Sequence, residues 1–428
     1  MSVPAYPAYK ESGVPWLGAV PSHWSICSLK RVVSLRSGEA ITSDSIEVDG
    51  DYPVFGGNGH RGYASSYTHE GDFALIGRQG ALCGNVNYAN GQFWASEHAI
   101  VVAPIKPLET RWLGELLRSM NLNQYSVAAA QPGLSADALG NLRIPFPPSD
   151  EQTAIATFLD RETAKIDGLV AEQERLIGLL KEKRQAVISH AVTKGLNPNA
   201  PMKDSGIEWL GAVPAHWEIK PLKNLTKSNT TITYGIVQAG PDIEGGIPYI
   251  RTSDMSGDEL PEHGYLRTSV EIDESYARSR VFPGDLVIAI RATIGKPLIV
   301  PTFLSGANLT QGTAKFSPSD AVGVRFAQLV LGSAGATTEF DRISKGSTFK
   351  EITLEMLRNF RIPVPPVDEQ AAIAAQSDQF ISTFNALSAA AVEAKELLKE
   401  RRAALISAAV TGKIDVRAAV SASELETA

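Results

Sequence analysis

The stretch Arg143-Ile144-Pro145-Phe146-Pro147-Pro148-Ser149-Asp150-Glu151-Gln152 opens a long polar and apolar segment that continues to about Gly195. It recurs 218 residues later as Arg361-Ile362-Pro363-Val364-Pro365-Pro366-Val367-Asp368-Glu369-Gln370, followed by a similar segment to about Lys413. Over residues 141–160, 13 of 20 positions are identical to their counterparts, and over residues 179–193 the figure is 11 of 15. The chain is therefore an internal repeat built around two copies of one segment.

Each copy has the pattern of a long helix. Pro147-Pro148 suits the residues just before a helix, and Ser149 or Asp150 can cap the free amides of the first turn. Apolar residues recur at helical spacing with polar interruptions, as in coiled coils. Gly195 with Asn197-Pro198 ends the pattern. About 44 residues at ~1.5 Å each predict a rod of roughly 65 Å.

The two rods have two alternative arrangements. Small residues of the second copy, Ala391 and Ala394, stand where the first copy has the larger Gln173 and Leu176. Antiparallel pairing of the rods would bury both apolar stripes and place a globular domain at each end of an internal two-fold repeat. Alternatively, each rod packs on its own globular domain. Pairing is favoured because rods of this length extend beyond the domain that they leave.

A second motif precedes each half and is called the lead-in here. Residues 10–30 and 203–223 are identical at 14 of 21 positions, with an offset of 193 instead of 218. The region between the repeated blocks is therefore 25 residues longer in the second half. Large aromatic residues beside proline and glycine usually pack a domain against its neighbour. This predicts packing roles for Trp16, Trp24, Trp209 and Trp217, and structural roles for the adjacent His23 and His216.

The regions between these motifs predict two dissimilar globular domains. Short apolar runs, such as residues 52–55, 73–76 and 286–290, alternate with turns rich in glycine and asparagine, which is typical of strands. The fold class is α+β, with a mainly antiparallel sheet and flanking helices, and not a doubly wound βαβ core. The predicted domains are a first globular domain at 1–150 with its lead-in at 10–30, a long helix at 151–200, a second globular domain at 201–368 with its lead-in at 203–223, a second long helix at 369–415 and a tail at 416–428.

Composition and motifs argue against several classes of protein. The 428 residues include only two cysteines, Cys27 and Cys83, which suggests a reducing, cytoplasmic setting. No apolar run reaches the ~18 residues of a membrane span, and the N-terminus lacks the pattern of a signal peptide. Nucleotide-binding glycine loops and zinc-binding His-Glu-x-x-His are absent from the sequence. The acidic pairs at the helix starts suit the helix dipole better than catalysis, so the chain is predicted to be non-catalytic and without a metal site.

The order of globular domain and Pro-Pro-x-Asp-Glu-Gln helix, twice over, resembles the specificity subunit of type I restriction-modification systems. The resemblance covers residues 10–415 and rests on two motifs that each occur twice. It implies that the globular domains are target recognition domains, each reading one half of a split double-stranded DNA sequence. It also implies that the helices set the spacing and dock two methyltransferase subunits, and that a motor-nuclease (restriction) subunit completes the complex. S-adenosylmethionine, ATP and Mg are then expected on the partner subunits, with no cofactor on this chain.

Under this resemblance, the helix starts are candidates for docking partner subunits. The residues concerned are Pro147, Pro148, Glu151, Gln152, Pro365, Pro366, Glu369 and Gln370.

Base readout requires side chains with paired donors and acceptors on exposed loops. The first domain offers Asn58, His60, Arg61, Arg78, Gln79, Asn85, Asn87, His98 and Gln131. The second offers Arg251, Thr252, Ser253, Arg291, Thr293, Asn308, Gln311, Lys345, Ser347 and Lys350. The strongest candidates are Arg78 and Arg291, because each follows an apolar strand and is flanked by small residues. The alternative is that they form salt bridges with Asp72 and Asp285.

The chain is acidic, so its own net charge does not favour binding to DNA phosphates. The formal net charge is -7. Residues 31–140 carry 7 basic and 11 acidic side chains, a net of -4, and residues 224–358 carry 13 and 15, a net of -2. Either the basic residues cluster on one face, or partner subunits supply most of the phosphate contacts. The resemblance favours the second explanation and predicts weak DNA binding by the chain alone.

Two other functions remain open from the residues themselves. The first is a protein–protein scaffold of duplicated rods and domains that involves no DNA. The second is a metal-dependent nuclease within the second globular domain.

Overall fold

A computed structural model describes residues 3–80, 82–126, 133–346 and 350–420. The chain divides into two compact units, one formed by Met1–Glu174 with Val392–Ala428 and the other by Arg175–Ala391. The boundary between the units falls within both long helices. Each unit therefore combines a globular domain with part of each helix, whereas the sequence had suggested that each helix is a domain of its own.

The first unit is built from short strands, helices and the end of a further long helix that starts in the second unit. Its strands are β1 (Tyr9–Glu11), β2 (Ala19–Pro21), β3 (Ser25–Ser28), β4 (Val33–Ser37), β5 (Tyr52–Gly56), β6 (Gly59–Ala64), β7 (His69–Glu70), β8 (Phe73–Gly77), β9 (Val86–Ala89), β10 (Gln92–Ala95), β11 (Ala99–Pro104) and β12 (Arg143–Phe146). The helices are α1 (Thr110–Ser119), α2 (Ala136–Gly140) and α3 (Ser149–Lys194), the last of which continues into the second unit.

Two four-stranded sheets form the first globular domain, in the orders β6-β5-β10-β7 and β4-β11-β8-β9. Their named strand pairs are antiparallel except for β5 with β10. Every residue from Ala74 to Gly77 of β8 is buried, as expected for a central strand that is covered on both faces. The buried face of α1, which includes Trp112 and Leu116, packs into the same core as Ile76.

The second unit repeats this plan with different strand lengths. Its strands are β13 (Met202–Asp204), β14 (Ala212–Pro214), β15 (Glu218–Pro221), β16 (Thr233–Tyr234), β17 (Ile247–Ile250), β18 (Arg267–Thr268), β19 (Leu286–Ala289), β20 (Pro297–Ile299), β21 (Asn308–Leu309), β22 (Thr313–Phe316) and β23 (Arg361–Val364). The helices are α4 (Val270–Ser275), α5 (Val324–Leu331), α6 (Ala334–Ile343), α7 (Leu354–Asn359) and α8 (Val367–Val410), which continues into the first unit.

The second globular domain also contains two sheets, in the orders β16-β22-β19-β20 and β18-β17-β21. The pair β17 with β21 is parallel, like β5 with β10, and the other named pairs of these sheets are antiparallel. The predicted α+β class, with mainly antiparallel sheets and an internal repeat, is confirmed.

A two-stranded ladder connects each lead-in to the strand before a long helix. In the first unit β3 pairs with β12, so that Cys27 is opposite Ile144. In the second unit β15 pairs with β23, and Lys220 is opposite Ile362. In each unit the Pro-Pro segment thus follows a strand that is hydrogen-bonded to the lead-in. This pairing fixes the position at which the long helix starts.

The lead-in of each unit wraps the end of one long helix. In the first unit Lys413, just beyond α8, donates to the carbonyl of Leu17 at 3.0 Å and to that of Ala19 at 2.5 Å. In the second unit Lys194, at the end of α3, donates to the carbonyls of Leu210 and Ala212. Each helix end is therefore held by the lead-in of the unit in which it ends.

The lead-in tryptophans fill the space beside these helix ends. Trp24 and Trp217 are fully buried, so their predicted packing role is confirmed. The helix ends turn at Gly412 and Gly195, with φ of 72° and 75°. A Cβ at Gly412 would lie 2.5 Å from Cδ of Pro21. Glycine at this position allows both the left-handed turn and the close approach of the lead-in.

The long helices run antiparallel in each unit. In the first unit Arg402 pairs with Asp167 at 2.8 Å, and Lys395 lies 3.6 Å from Glu174. Within the same unit, Ile155 and Leu159 of α3 and Ile406 of α8 belong to the core of the globular domain. Antiparallel pairing and packing on a globular domain, which the sequence presented as alternatives, therefore occur together.

In the second unit the helices are likewise antiparallel, since a Cβ at Gly195 would lie 3.2 Å from Glu369, and Lys183 and Phe380 line one groove. Ile188 and Val192 of α3 and Ile373 of α8 enter the core of this unit. Within the described part of the chain, no helix has the length and apolar character that crossing a membrane requires.

Candidate nucleic-acid interface

Loops from distant parts of the first globular domain meet at one end of its sheets. The amide of Arg78, just after β8, donates to the carbonyl of His98, just before β11, at 2.8 Å. A Cβ at Gly57, just after β5, would lie 3.0 Å from the same carbonyl. The amide of Leu134 donates to the carbonyl of Arg78 at 2.9 Å. The loops after β5 and β8 and before β11 therefore form one polar surface, which we call the first loop face.

Two arginines belong to this end of the sheets, Arg61 in β6 and Arg78 just after β8. Within the described ranges, neither Arg61 nor Arg78 forms a side-chain hydrogen bond or an ion pair. The stem of Arg61 packs over Gly56, where a Cβ would lie 2.5 Å from its Cδ. The alternative of an Arg78–Asp72 salt bridge is thus not realised. Guanidinium groups held in this way, one on a strand and one on a loop, are suited to guanine or phosphate.

The amides beside these arginines add donors and acceptors. Asn58 and Gln79 are exposed, and Asn85 and Asn87 are half-buried. The side-chain oxygen of Asn87 would lie 3.1 Å from a Cβ at Gly59, and its amide nitrogen is buried without a partner among the described residues. A buried amide donor without a partner is costly, so a ligand acceptor that approached it would be favoured.

The second globular domain gathers its loops in a similar way. The amide of Thr310 donates to the carbonyl of Ile250, at the end of β17, at 3.1 Å. The amide of Ile290, at the end of β19, donates to Gly312 at 2.9 Å. A Cβ at Gly312 would lie 3.0 Å from Thr252 and 4.0 Å from Cβ of Arg291. We call the surface formed by residues 251–253, 291–293, 310–312, 345 and 350 the second loop face.

The arginines of the second loop face are held by carboxylates. Arg251 makes a bidentate pair with Asp254, at 2.7 Å and 3.1 Å, and this hydrogen bonding raises the pKa of its guanidinium. Arg291 lies 3.1 Å from Glu351. Asp285, the partner suggested by the sequence, instead accepts from the amide of Phe282 at 2.9 Å. Each arginine would have to share or leave its carboxylate in order to contact DNA.

Asn308 does not fit its predicted place on an exposed loop. It lies in β21 and is fully buried. Its amide donates to Asp273 at 2.7 Å, and its oxygen accepts from Ser279 at 2.7 Å. The prediction that Asn308 is an exposed reader is wrong, because its hydrogen-bonding groups stabilise the connection between α4 and the sheet.

The other candidates of the second domain are more accessible. Ser253, Thr293, Lys345 and Lys350 are exposed, and Gln311 is half-buried. Lys350 pairs with Asp341 at 3.2 Å. In the first domain His60 and His98 are exposed, and the ring centroid of His60 lies 4.9 Å from that of Tyr63. The predicted readers Gln131 and Ser347 lie outside the described residues.

The helix-start residue Glu151 lies inside the first unit. Its side chain is 4% exposed. One carboxylate oxygen accepts from the hydroxyl of Tyr6 and from Nε1 of Trp24, both at 2.9 Å, and the other lies 2.5 Å from Nε2 of His23. Burial and the adjacent Glu151 raise the pKa of Tyr6. Glu151 therefore anchors the lead-in to the helix.

The side chains of the neighbouring glutamines also face the interior of their own unit. Gln152 and Gln370 are each 1% exposed. Gln152 donates to the carbonyl of Pro147 at 2.9 Å and accepts from the amide of Glu109 at 3.0 Å. Gln370 donates to Pro365 at 2.8 Å and accepts from the amide of Gly323 at 2.8 Å. Both amides therefore satisfy backbone groups of their own domain at the helix entry, and the docking of a partner through them stays a prediction.

The remaining helix-start residues differ in exposure. Pro147 and Pro365 are buried, and Pro148 and Pro366 are exposed. Glu369 is 27% exposed and pairs with His216 at 2.8 Å. The two lead-in histidines therefore contact carboxylates of their own unit, in agreement with the structural role predicted for them.

Sequence reasoning did not identify the residues that hold the second loop face and the first helix start. The pairing of Arg251 with Asp254 has a signal in the sequence, since the two are three residues apart at the start of a helical turn. The pairing of Arg291 with Glu351 spans 60 positions, and that of Tyr6 with Glu151 spans 145. Pairs so distant in the chain have no local signal.

Among the described residues, no group of three or more histidine, cysteine, aspartate or glutamate side chains is arranged to hold a metal ion.

Comparison with known proteins gives a family match to both halves of the chain. A sequence model described as the type I restriction modification DNA specificity domain matches residues 21–176 and 214–394. Each match contains one globular domain and part of the long helix that follows it.

Two curated relatives from Escherichia coli show the extent of the similarity. The type I restriction enzyme EcoBI specificity subunit is 28% identical over 400 residues, which cover 87% of this chain and 82% of that protein. The EcoprrI specificity subunit is 44% identical over 138 residues, which cover 31% of this chain and 34% of that protein. The higher identity is thus confined to about a third of either protein.

Two solved structures share the fold. The HsdS subunit from Thermoanaerobacter tengcongensis has a TM-score of 0.52 at 17% identity, with 92% of this chain and 98% of that chain covered. A chain from a structure on complex assembly and conformational transition of the type I R-M system has a TM-score of 0.69 at 19% identity, covering 91% and 98%.

Proposed function

The chain belongs to the type I restriction-modification DNA specificity family, and we propose that each of its globular domains reads one half of a bipartite DNA target. Specificity subunits are non-catalytic and recognise DNA within a complex that also contains modification and restriction subunits. For this chain, the first loop face would read one half-site and the second loop face the other.

One observation carries this proposal. In both units, loops separated by many residues meet at the same end of the sheets, and they bring arginine and amide side chains together there. Such side chains match the donor and acceptor pattern of base edges in the major groove, with arginine for guanine and asparagine or glutamine for adenine. Two such faces in one chain suit a target with two separated half-sites.

The two loop faces would contact DNA in different ways. In the part of the chain that the structure describes, the guanidinium groups of Arg61 and Arg78 have no partner, and they would contact DNA directly. Arg251 and Arg291 are paired with Asp254 and Glu351, so that DNA would have to compete with a carboxylate. Because both globular domains are net acidic, partner subunits would supply most of the phosphate contacts. The chain alone would bind DNA weakly.

The partners would be double-stranded DNA, two methyltransferase subunits and a motor-nuclease subunit. S-adenosylmethionine, ATP and Mg would be held by those subunits, and this chain would hold none. The long helices would set the distance between the half-sites.

A domain exchange tests the independent reading of half-sites. Residues 31–140 are replaced by the corresponding domain of another family member, and methylated positions are mapped in a host genome that contains the modification subunit. We expect one half of the methylated motif to change and the other half to stay. A change in both halves contradicts independent reading, and no methylation motif in the wild type contradicts the proposed function as a whole.

A gel shift separates DNA recognition from a scaffold that involves no DNA. The complex of this chain with its modification subunit is titrated with a duplex that contains the mapped motif and with a scrambled duplex, at physiological salt. We expect selective binding by the complex and weak binding by the chain alone. Equal affinity of the complex for the two duplexes favours the scaffold.

A further inference from the structure

The carboxylate of Asp254 holds one edge of the Arg251 guanidinium. The residues Thr252–Met255 form a single helical turn, which brings Asp254 back beside Arg251. The carboxylate accepts from Nη2 of Arg251 at 2.7 Å and from Nε at 3.1 Å. It also accepts from the backbone amide of Arg251 at 2.9 Å and from the hydroxyl of Ser253 at 3.4 Å. With four donors around it and a side chain that is 9% exposed, this carboxylate is fixed in place and fixes the guanidinium with it.

The other edge of the same guanidinium is open to a ligand. An arginine has five N–H groups in a planar fork, and Asp254 accepts from only one on Nε and one on Nη2. Among the residues that the structure describes, Nη1 of Arg251 has no hydrogen-bond partner. The side chain of Arg251 is 33% exposed. The edge formed by Nη1 and Nη2 therefore keeps the two parallel donors that a guanine requires for O6 and N7.

Arg251 lies within the second loop face but is held more firmly than its neighbour Arg291. It directly follows β17. Arg291 contacts Glu351 through one bond of 3.1 Å, and the side chains of that pair are 42% and 41% exposed. An exposed pair with a single bond exchanges readily with water and contributes little. The pair of Arg251 with Asp254 is instead a rigid mount for an arginine at the surface.

The acceptors of DNA would compete differently for this mounted arginine. A phosphate is an anion, and on the Nη1 edge it would lie close to the carboxylate of Asp254. Repulsion between the two like charges would offset much of its attraction to the guanidinium. The edge of a guanine has no net charge, and it can accept from Nη1 and Nη2 while Asp254 keeps its own bonds. The mounted arginine therefore favours a base over the DNA backbone.

We propose that Asp254 is a positioning residue that sets the specificity of the second loop face, because it holds Arg251 to read a guanine in the half-site of the second domain. Arg251 would contact the base, and Asp254 would act through Arg251. Asp254 would also reduce the attraction of Arg251 for phosphates, which lowers binding to unrelated DNA. The inference rests on the proposed function and deepens it, since it names one base that the second domain reads.

The test uses the complex with the modification subunit and a duplex that carries the motif mapped by methylation. The domain exchange assigns one half of that motif to the second domain. Each guanine of this half, on either strand, is replaced singly by 7-deazaguanine, which lacks the N7 acceptor. Fluorescence anisotropy measures the affinity for each duplex and for a scrambled duplex. The proteins compared are the wild type, Arg251→Ala, Asp254→Asn and the variant with both substitutions.

The matched control is Glu259→Gln. It removes one negative charge from the same segment, from an exposed side chain that forms no ion pair within the described ranges. Circular dichroism and thermal melting of every variant measure any change in folding. The control separates a general gain of positive charge from the loss of the contact with Arg251.

We expect one 7-deazaguanine to weaken binding by the wild type about fivefold or more, and to have no effect on Arg251→Ala. Asp254→Asn should lower the affinity for the specific duplex by about tenfold. It should leave or raise the affinity for the scrambled duplex, because the released guanidinium is free to contact phosphate. In the Arg251→Ala background, Asp254→Asn should have no further effect. Glu259→Gln should bind both duplexes like the wild type.

The inference is overturned if the second half contains no guanine on either strand, or if no effect of 7-deazaguanine depends on Arg251. An equal loss of affinity for the specific and scrambled duplexes with Asp254→Asn would show a structural role alone and also overturns it. A loss that persists in the Arg251→Ala background does the same. If the wild-type complex binds the specific and scrambled duplexes equally, the proposed function itself fails.

Discussion

Glu151 in the first unit and Glu369 in the second occupy the same position of the repeat, yet their surroundings differ. Glu151 is almost fully buried and is contacted by Tyr6, His23 and Trp24. Glu369 is partly exposed and pairs with His216, while Nε1 of Trp217 has no partner among the described residues. The difference arises because Tyr6 and Arg417 add contacts to the carboxylate at the first helix start. Identical residues in a repeat therefore do not imply identical energetics.

The two loop faces show the reverse contrast, because there the side chains of the first unit are held by fewer partners than those of the second. In the first unit, which is the more closed at its helix start, the arginines Arg61 and Arg78 have no ion-pair partner within the described ranges. In the second unit Arg251 and Arg291 are held by carboxylates. The comparison suggests that the two domains differ both in what anchors them and in how they meet DNA.

The largest expected effect is on the anchor of the first unit. Glu151→Ala leaves the buried Trp24 indole and Tyr6 hydroxyl without an acceptor, and each loss costs about 1–3 kcal/mol. We expect a destabilisation of roughly 3 kcal/mol. Glu369→Ala removes a partly exposed pair and should cost about 1 kcal/mol or less. Guanidinium unfolding followed by tryptophan fluorescence measures both, and equal losses would show that the two anchors are equivalent.

The second-largest expected effect is a difference in stability between alanine substitutions at the two helix ends. Gly412→Ala places a Cβ 2.5 Å from Cδ of Pro21, whereas at Gly195 the nearest heavy atoms lie at 3.2 Å. Both positions have positive φ, which costs a non-glycine residue about 1–2 kcal/mol. We expect the overpacking at Gly412 to add about 1 kcal/mol or more to that cost. Thermal melting of the two variants provides the test, and a larger loss for Gly195→Ala would contradict this reading of the two lead-ins.

A third prediction concerns the loop faces in the assembled complex. Arg78→Ala should weaken binding of the specific duplex by about 1–3 kcal/mol, because a free guanidinium is removed. Arg291→Ala should cost less, since its contact with DNA must replace the pair with Glu351. Glu351→Gln should release Arg291 and tighten binding by a few-fold. Fluorescence anisotropy on a fixed duplex measures all three, with Arg143→Ala, an exposed arginine at the start of β12, as the control.

The smallest expected effect is a pH dependence of stability that comes from Asp415, shortly after α8. Hydrogen bonds from Arg417 lower the pKa of Asp415 below its ordinary value of 3.8. A carboxyl group with a lowered folded pKa stabilises the fold above the unfolded pKa, and this contribution is lost as pH falls through the folded value. Asp415→Asn should therefore reduce stability slightly at neutral pH and flatten its decline below about pH 4. Unfolding curves across this range provide the measurement, and parallel pH profiles would exclude the contribution.

Much of the architecture is determined by local sequence patterns. The Pro-Pro segments, the helical periodicity after them and the repeated lead-ins predict two long helices and packed tryptophans in both lead-ins. The structure has these helices at Ser149–Lys194 and Val367–Val410. The alternation of short apolar runs with glycine-rich turns predicts the mainly antiparallel sheets. These features depend on neighbouring residues, which is why a single sequence is sufficient.

Only the tertiary structure decided which side chains are free to act. Asn308 has the composition of a reader but is buried in a strand, and Arg291 has the position of Arg78 but meets Glu351. Glu151 was expected to face a partner and instead contacts Tyr6, from 145 positions earlier in the chain. The sequence by itself determined the repeated plan, because helices, turns and ladders follow local patterns. The tertiary structure decided burial and pairing, because these depend on contacts between residues far apart in the chain.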